Sequence, residues 1–455
     1  MSFTSLVALK NKLNNKHFLA LAGNIVMSGI GILTFGLILR NLSIADAGIW
    51  MMFLTATGLA EMLRSGLLQT TTIKFYTGAD ATKANNILGS VWYLALIITA
   101  LFLLLNLFVF VIVHFLNAGH EVVTNQWTII INWFGITLLS SLPYSLAFWI
   151  LIADERYDKI LWIRLLNSGS MIIYMIVLIV LKKMTIESLM WCNFLTNCLA
   201  AVFTIITGTS RLKTFLYRTK ECALELYHYG KFGMGTTVVS NLFSNADKII
   251  IMSMLGPAGP VALATYGVPL KLMELVEMPL RSFVGTGMTG MAYSLNKNKP
   301  EDATYTFKKF IGMLTFLFFP LFIFAFFFAD IAVDLLGGGK YSGTEAANIF
   351  RFFMLLSLFY PFDRFCGVTL DLINKPNINF YKVVGTLMIT VIGDILGLLI
   401  FKSIYGVALC SAFSLAFGIA FGNYHLRKHL KYKFKEIISI GFLEIKNLIN
   451  KALKR

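Results

Sequence analysis

Residues 86–115 read NILGSVWYLALIITALFLLLNLFVFVIVHF, a stretch without a single Asp, Glu, Lys or Arg. A helix rises about 1.5 Å per residue, so this run alone outreaches the roughly 30 Å hydrocarbon core of a bilayer. The same test along the chain finds twelve such runs. Six lie in the first half: His17–Leu39, Ala47–Gln69, Asn86–Phe115, Gln126–Ile152, Ile160–Leu181 and Ile186–Gly208. Six follow: Gly230–Leu255, Pro260–Met288, Phe307–Phe328, Ala346–Ile373, Phe380–Phe401 and Ile404–Tyr424. The first is too long for the apolar core of a signal peptide and is expected to be retained.

Composition agrees with this reading. Of 455 residues, 57% are hydrophobic and 14% charged, and the mean hydropathy is +0.74. A soluble globular chain carries about 25% charged residues, so that class is excluded. With 40 Phe, 17 Tyr and 7 Trp the chain has too much apolar surface to stay disordered. Its five cysteines are too few for a disulfide framework and show no zinc spacing. An all-α, multi-pass membrane protein is what remains.

Charge placement tests the span count independently, because Lys and Arg concentrate on the cytoplasmic side. With the N-terminus inside, 27 of the 39 Lys and Arg fall in cytoplasmic segments, counting Lys231, Lys308, Lys309 and Lys382 at the cytoplasmic edges of their spans, while five lie outside and seven deeper within spans. Both termini are therefore expected in the cytoplasm. The same distribution explains the net charge of +16 without a nucleic-acid partner, since the cations sit in short loops beside membrane. In the tail, Phe434, Ile437, Ile438, Ile445, Leu448, Ile449 and Leu453 share one helical face opposite a Lys-rich one, the pattern of a helix lying on anionic headgroups. Arg211–Tyr229 shows the pattern more weakly.

Each half starts on the cytoplasmic side and holds six spans, so a repeat between them must be parallel. In each, a span ends in a short turn and the next carries an acid past mid-depth, Glu61 and Glu274, with Arg64 and Arg281 following. The expected organisation is an N-terminal six-helix lobe (1–210), an amphipathic cytoplasmic linker (211–229), a C-terminal six-helix lobe (230–426) and a basic amphipathic tail (427–455). This is a transporter layout, with the substrate path between halves. No G-x-x-x-x-G-K-[ST] loop is present, and no loop is long enough to form a soluble catalytic domain. A secondary carrier or flippase fits better than a pump or an enzyme.

Ionisable groups at membrane depth are costly unless paired or wet, and mark a functional path. The eighth span carries Lys271, Glu274, Glu277 and Arg281, whose steps of three and four put them on one face, bracketed by Pro269 and Pro279. The second span aligns Thr57, Glu61 and Arg64. The seventh adds Asn241, Asn245, Asp247 and Lys248, and the tenth Arg351, Asp363 and Arg364 with Pro361. Arg164 is expected to snorkel to the cytoplasmic surface. Asp394 is read either as a proton carrier or as a counter-charge to an arginine. The excess of guanidiniums tilts the substrate towards phosphate or carboxylate, which they grip with paired hydrogen bonds.

Two stretches resemble a known family. Leu39–Trp50, LRNLSIADAGIW, is similar to the R-x-L-x-x-x-x-x-G turn after the first helix of the polysaccharide (Wzx-like, O-antigen) flippases, a branch of the MATE-like MOP superfamily. Asn245–Lys271, NADKIIIMSMLGPAGPVALATYGVPLK, resembles that family's A-D-x-x-x-I…L-G…Y-x-x-P-x-K pattern, with Asp247, Tyr266 and Pro269 at the marked positions. The resemblance implies a non-enzymatic flippase of the bacterial cytoplasmic (inner) membrane. It would carry a polyprenyl-pyrophosphate-linked oligosaccharide outward by alternating access, for O-antigen of lipopolysaccharide, capsule or exopolysaccharide. The implied coupling ion is H+ or Na+, with no other cofactor and no metal site. Implied partners are the lipid-linked oligosaccharide, the bilayer, and the polysaccharide polymerase and chain-length machinery. Arg64, Lys248, Lys271, Arg281, Arg351 and Arg364 become the headgroup candidates. Glu61, Asp247, Glu274, Glu277, Asp363 and Asp394 become candidates for ion coupling or for pairing those bases. The rival reading is a MATE-type cation or drug antiporter of the same superfamily.

Overall fold

The computed structural model describes residues 16–117 and 125–453. Lys10 and Lys12, and the side chains of Leu448, Ile449 and Leu453, lie outside what it describes. Among the described residues the regular structure is helical, without a strand. The first helices are α1 (Lys16–Asn41), α2 (Ile44–Tyr76), α3 (Ala81–Asn117), α4 (Asn125–Ala153), α5 (Tyr157–Val180), α6 (Ile186–Ile206) and α7 (Lys220–Met254). They are followed by α8 (Gly259–Asn296), α9 (Pro300–Gly337), α10 (Ala346–Ser357), α11 (Tyr360–Leu372), α12 (Pro376–Phe401), α13 (Ile404–Leu426) and α14 (Phe434–Leu453).

By length and composition seven of these, α3, α4, α5, α6, α9, α12 and α13, can cross a membrane, and the pair α10–α11, bent by 49°, makes an eighth if taken as one span. The helices α2, α7 and α8 fall short of that test because each carries the charges singled out in the sequence. The break between α10 and α11 has a local cause. Pro361 stands in the first turn of α11, where its missing N–H is no loss, and without that N–H it cannot donate back to a carbonyl of α10. Pro269 and Pro279, by contrast, lie inside α8, which continues through both.

The chain forms two compact units, Met1–Leu242 and Phe243–Arg455. In unit 1 a core of Leu67, Leu68, Val91, Trp92, Leu146 and Trp149 joins α2, α3 and α4. Trp92 reaches past this core to donate from Nε1 to the carbonyl of Ser210 at 2.8 Å. The segment Arg211–Tyr229, expected to be one amphipathic stretch, is divided between a 3-10 turn at Leu212–Tyr217 and the start of α7. Gly230 lets α7 approach α2 closely, since a Cβ there would stand 2.4 Å from the carbonyl oxygen of Leu67. Such small-residue crossings take the place of a hydrophobic driving force where the surroundings are lipid.

In unit 2, α12 and α13 form a tight hairpin through Gly397 and Gly406, whose backbones leave no room for a Cβ on either. The tail helix α14 differs from its expectation. It packs along the first half of α9, with Gly441 against Gly312 and Ile437 buried there, rather than resting only on headgroups. Lys308 to Glu436 at 3.0 Å, Lys309 to Glu444 at 2.7 Å and the Tyr305 hydroxyl to Glu444 at 2.6 Å pin it in place.

Candidate functional site

Two groups of charges stand out, one in each unit. In unit 1, Arg64 is only 2% exposed. A guanidinium taken out of water must be paired and hydrogen-bonded to be tolerated. Arg64 meets that demand from three helices. It pairs with Glu61 one turn back on α2 and donates to the Thr99 hydroxyl of α3 at 3.1 Å. On α4 it reaches the Leu138 carbonyl at 3.4 Å, the Ser141 hydroxyl at 3.1 Å and the Ser145 hydroxyl at 3.4 Å. Its donors are thus taken up inside unit 1, apart from Nε, which is buried without a partner. Arg164, expected to snorkel, has partners at a partly exposed position. It donates to the Asn24 side chain at 3.2 Å and stacks over Phe148 at 4.7 Å, lining a cavity of about 190 Å³.

In unit 2 the stripe on α8 splits into two pairs. Lys271 holds Glu274 at 2.6 Å, and Arg281 donates to Glu277 at 3.0 Å. Glu277 is shared, because Arg364 on α11 approaches it to 3.8 Å. These two guanidiniums are open where Arg64 is closed, with side chains 72% and 56% exposed for Arg281 and Arg364. Arg351 stands elsewhere, midway along α10. It pairs with Asp330 of α9 and donates to the Phe326 carbonyl at 3.0 Å and to Asn348 at 2.7 Å. Lys248 is occupied by the side-chain oxygen of Asn245 at 2.9 Å.

Glu277, Asp363, Arg364 and Asp247 face a common cavity of about 220 Å³ within unit 2, capped by Tyr360 and Phe243. Its far wall carries hydroxyls: Thr386 and Thr390 on α12, Ser411 and Ser414 on α13, with Thr390 and Ser414 bonded at 2.8 Å. Three carboxylates and one guanidinium line it, while Arg281 and Lys382 pair with Glu277 and Asp363 from outside the lining. Asp363 is held at 2.5 Å by Lys382, which also donates to the Asp363 carbonyl at 3.0 Å. Positive-inside counting assigns Lys382 to a cytoplasmic segment, yet it lies in the second turn of α12 with its side chain only 6% exposed. Gly418 and Gly422 of α13 make room for this pair, since a Cβ on Gly418 would stand 2.7 Å from an Asp363 carboxylate oxygen.

Asp394 is fully buried, and among the described residues neither carboxylate oxygen has a hydrogen-bond partner. Among the described residues no arginine pairs with it. It lies close enough to Asp247 for the two charges to interact. Lys382, Thr386, Thr390 and Asp394 recur every four residues on α12 and are all buried. That regular polar stripe in an apolar run is the signal that would have exposed this wall from the sequence.

The family model for polysaccharide biosynthesis protein matches residues 37–346. No curated protein matches the chain. Among solved structures, lipid II flippase MurJ in an inward closed conformation aligns with a TM-score of 0.70 at 14% identity, over 96% of this chain and 92% of that one. An inward-facing MATE-family multidrug resistance transporter of the MOP superfamily aligns at 0.67 and 12% identity, over 88% and 94%. A MOP superfamily transporter from Pyrococcus furiosus, described as having a binding pocket of reversed polarity, aligns at 0.56 and 12% identity, over 91% and 97%. At these identities the likeness is one of fold.

Proposed function

The chain belongs to the polysaccharide biosynthesis protein family, a premise from which we propose that it flips a polyprenyl-pyrophosphate-linked oligosaccharide across the bacterial cytoplasmic membrane for surface polysaccharide synthesis. The observation that carries this reading is the pair Arg281 and Arg364, exposed on either side of Glu277. A pyrophosphate offers paired oxygens to such planar donors and gains charge-assisted hydrogen bonds from both. Glu277 holds the two guanidiniums side by side until the substrate competes for them.

In this reading the chain crosses the bilayer twelve times with both termini inside, and alternating access moves the headgroup without covalent chemistry. Arg281 and Arg364 receive the pyrophosphate first, and Lys271, Lys248 and Arg351 supply background positive potential from within existing pairs. Arg64 serves through its hub in unit 1. Asp394, assisted by Asp247, takes the coupling ion, H+ or Na+, because a buried carboxylate without donors, as Asp394 is, is costly until a cation or proton neutralises it. Glu61, Glu274 and Asp363 hold bases in position. The carried glycan, whether O-antigen, capsule or exopolysaccharide, is handed to the polymerase and chain-length machinery outside.

The test is surface polysaccharide in a deletion strain complemented with Arg281→Ala or Arg364→Ala. Export should fall at normal protein level, and full export would remove the headgroup assignment. One observation favours a second reading, a MATE-type cation antiporter: the carboxylate excess in the lining of the unit 2 cavity. That reading predicts resistance to cationic dyes on expression and an unchanged surface glycan on deletion.

A further inference from the structure

The last candidate span, α13, ends at Leu426, and a run of cations follows at once. Arg427, Lys431 and Lys433 line a cavity of about 390 Å³ together with Tyr432, Phe434 and Glu436. Glu436 is already engaged by Lys308 at 3.0 Å, and none of the three cations is held in an ion pair among the described residues. The cavity is therefore a net cationic recess. Its depth is set by the chain, because Arg427 immediately follows the span and the exposed Tyr424 lies one turn earlier, at the level where amphipathic rings prefer the lipid–water boundary.

A second observation gives the recess an apolar extension. Phe434, on its rim, begins a stripe continued every four residues by Ile438 and Phe442, and all three are exposed. The stripe is held in place because α14 is fixed to α9 by the Gly312–Gly441 crossing and its ion pairs. A free anion would use the cations and leave the stripe bare. A phosphate joined to acyl chains uses both.

We infer that this recess is a binding site for the phosphate headgroup of an anionic phospholipid, with Arg427, Lys431 and Lys433 on the phosphate and Phe434, Ile438 and Phe442 beside the acyl chains. Positive-inside placement puts it in the inner leaflet, where anionic headgroups attract juxtamembrane cations. The site is separate from the transport residues, so its occupancy is read without transport.

The experiment uses the purified full chain in nanodiscs of phosphatidylcholine and phosphatidylglycerol, with retained lipid counted by native mass spectrometry. The wild type should prefer phosphatidylglycerol by about tenfold, and Arg427→Gln/Lys431→Gln/Lys433→Gln should abolish that preference. Removing three cations elsewhere, by Lys182→Gln/Lys183→Gln/Lys402→Gln, should leave it intact. Should the triple variant fail to fold, Lys431→Gln and Lys433→Gln singly are each expected to lower it by about threefold. Glycerophosphoglycerol and inorganic phosphate should not displace the lipid. A preference unchanged in monodisperse variants, or displacement of the lipid by inorganic phosphate alone, would overturn the assignment.

Discussion

Arg64 of unit 1 and Arg281 of unit 2 follow an acid on their own helix by one turn, and they have opposite fates. Arg64 is enclosed by α2, α3 and α4, with Glu61, three hydroxyls and a carbonyl around its guanidinium. Arg281 points away from its helix and shares one carboxylate with Arg364. An arginine in an apolar span is therefore not by that fact a ligand. What decides its role is whether neighbouring helices bring enough oxygen atoms to satisfy it. Where they do, the residue holds helices together; where they do not, its donors stay open.

The largest expected effect falls on the enclosed residue. Arg64→Ala leaves Glu61 half-buried with no base beside it and strips partners from Thr99, Ser141 and Ser145. Breaking a buried pair costs about 3–5 kcal/mol, so loss of folded protein should show in detergent thermal melts and in expression level. A variant as stable as the wild type would break the contrast. Arg281→Ala should do the reverse, keeping the melting temperature while lowering glycan export about tenfold or more, as expected for losing a charge-assisted hydrogen bond.

Next comes the tail. A side chain at Gly441 would meet the Gly312 backbone at 2.4 Å, so Gly441→Leu should cost about 1–3 kcal/mol and release α14 to protease. A smaller effect follows from Glu436, whose hydrogen bond with Lys308 holds its carboxyl below the usual glutamate range. Because the folded form has the lower value, this contact stabilises the docked tail above about pH 4.3, the unfolded glutamate value, and is lost as pH falls through the folded one. Protease sensitivity of the tail should rise over that acidic window, and Glu436→Gln should remove the dependence.

Much of the fold was legible because apolar runs of span length have few other uses, and residues 86–115 could hardly be anything else. The charges on α2, α7 and α8 were legible for the same reason, as exceptions in apolar surroundings. Their partners were not. Thr99, Ser141 and Ser145 surround Arg64 from other helices, and no spacing on α2 announces them. Lys382 shows the same limit, since hydropathy sets it near the start of its span among loop cations, and only Asp363 on α11 and the small Gly418 and Gly422 on α13 draw it inside. The tail's apolar face was readable, but whether it meets lipid or α9 depends on Gly312, more than a hundred positions earlier.

In the proposed function Arg281 and Arg364 together receive a pyrophosphate headgroup. Its most direct test is the affinity of the purified full chain for undecaprenyl pyrophosphate, compared between the wild type and Arg281→Ala/Arg364→Ala. A loss of about a hundredfold with an unchanged melting temperature is expected. Equal affinity in the two proteins would contradict it.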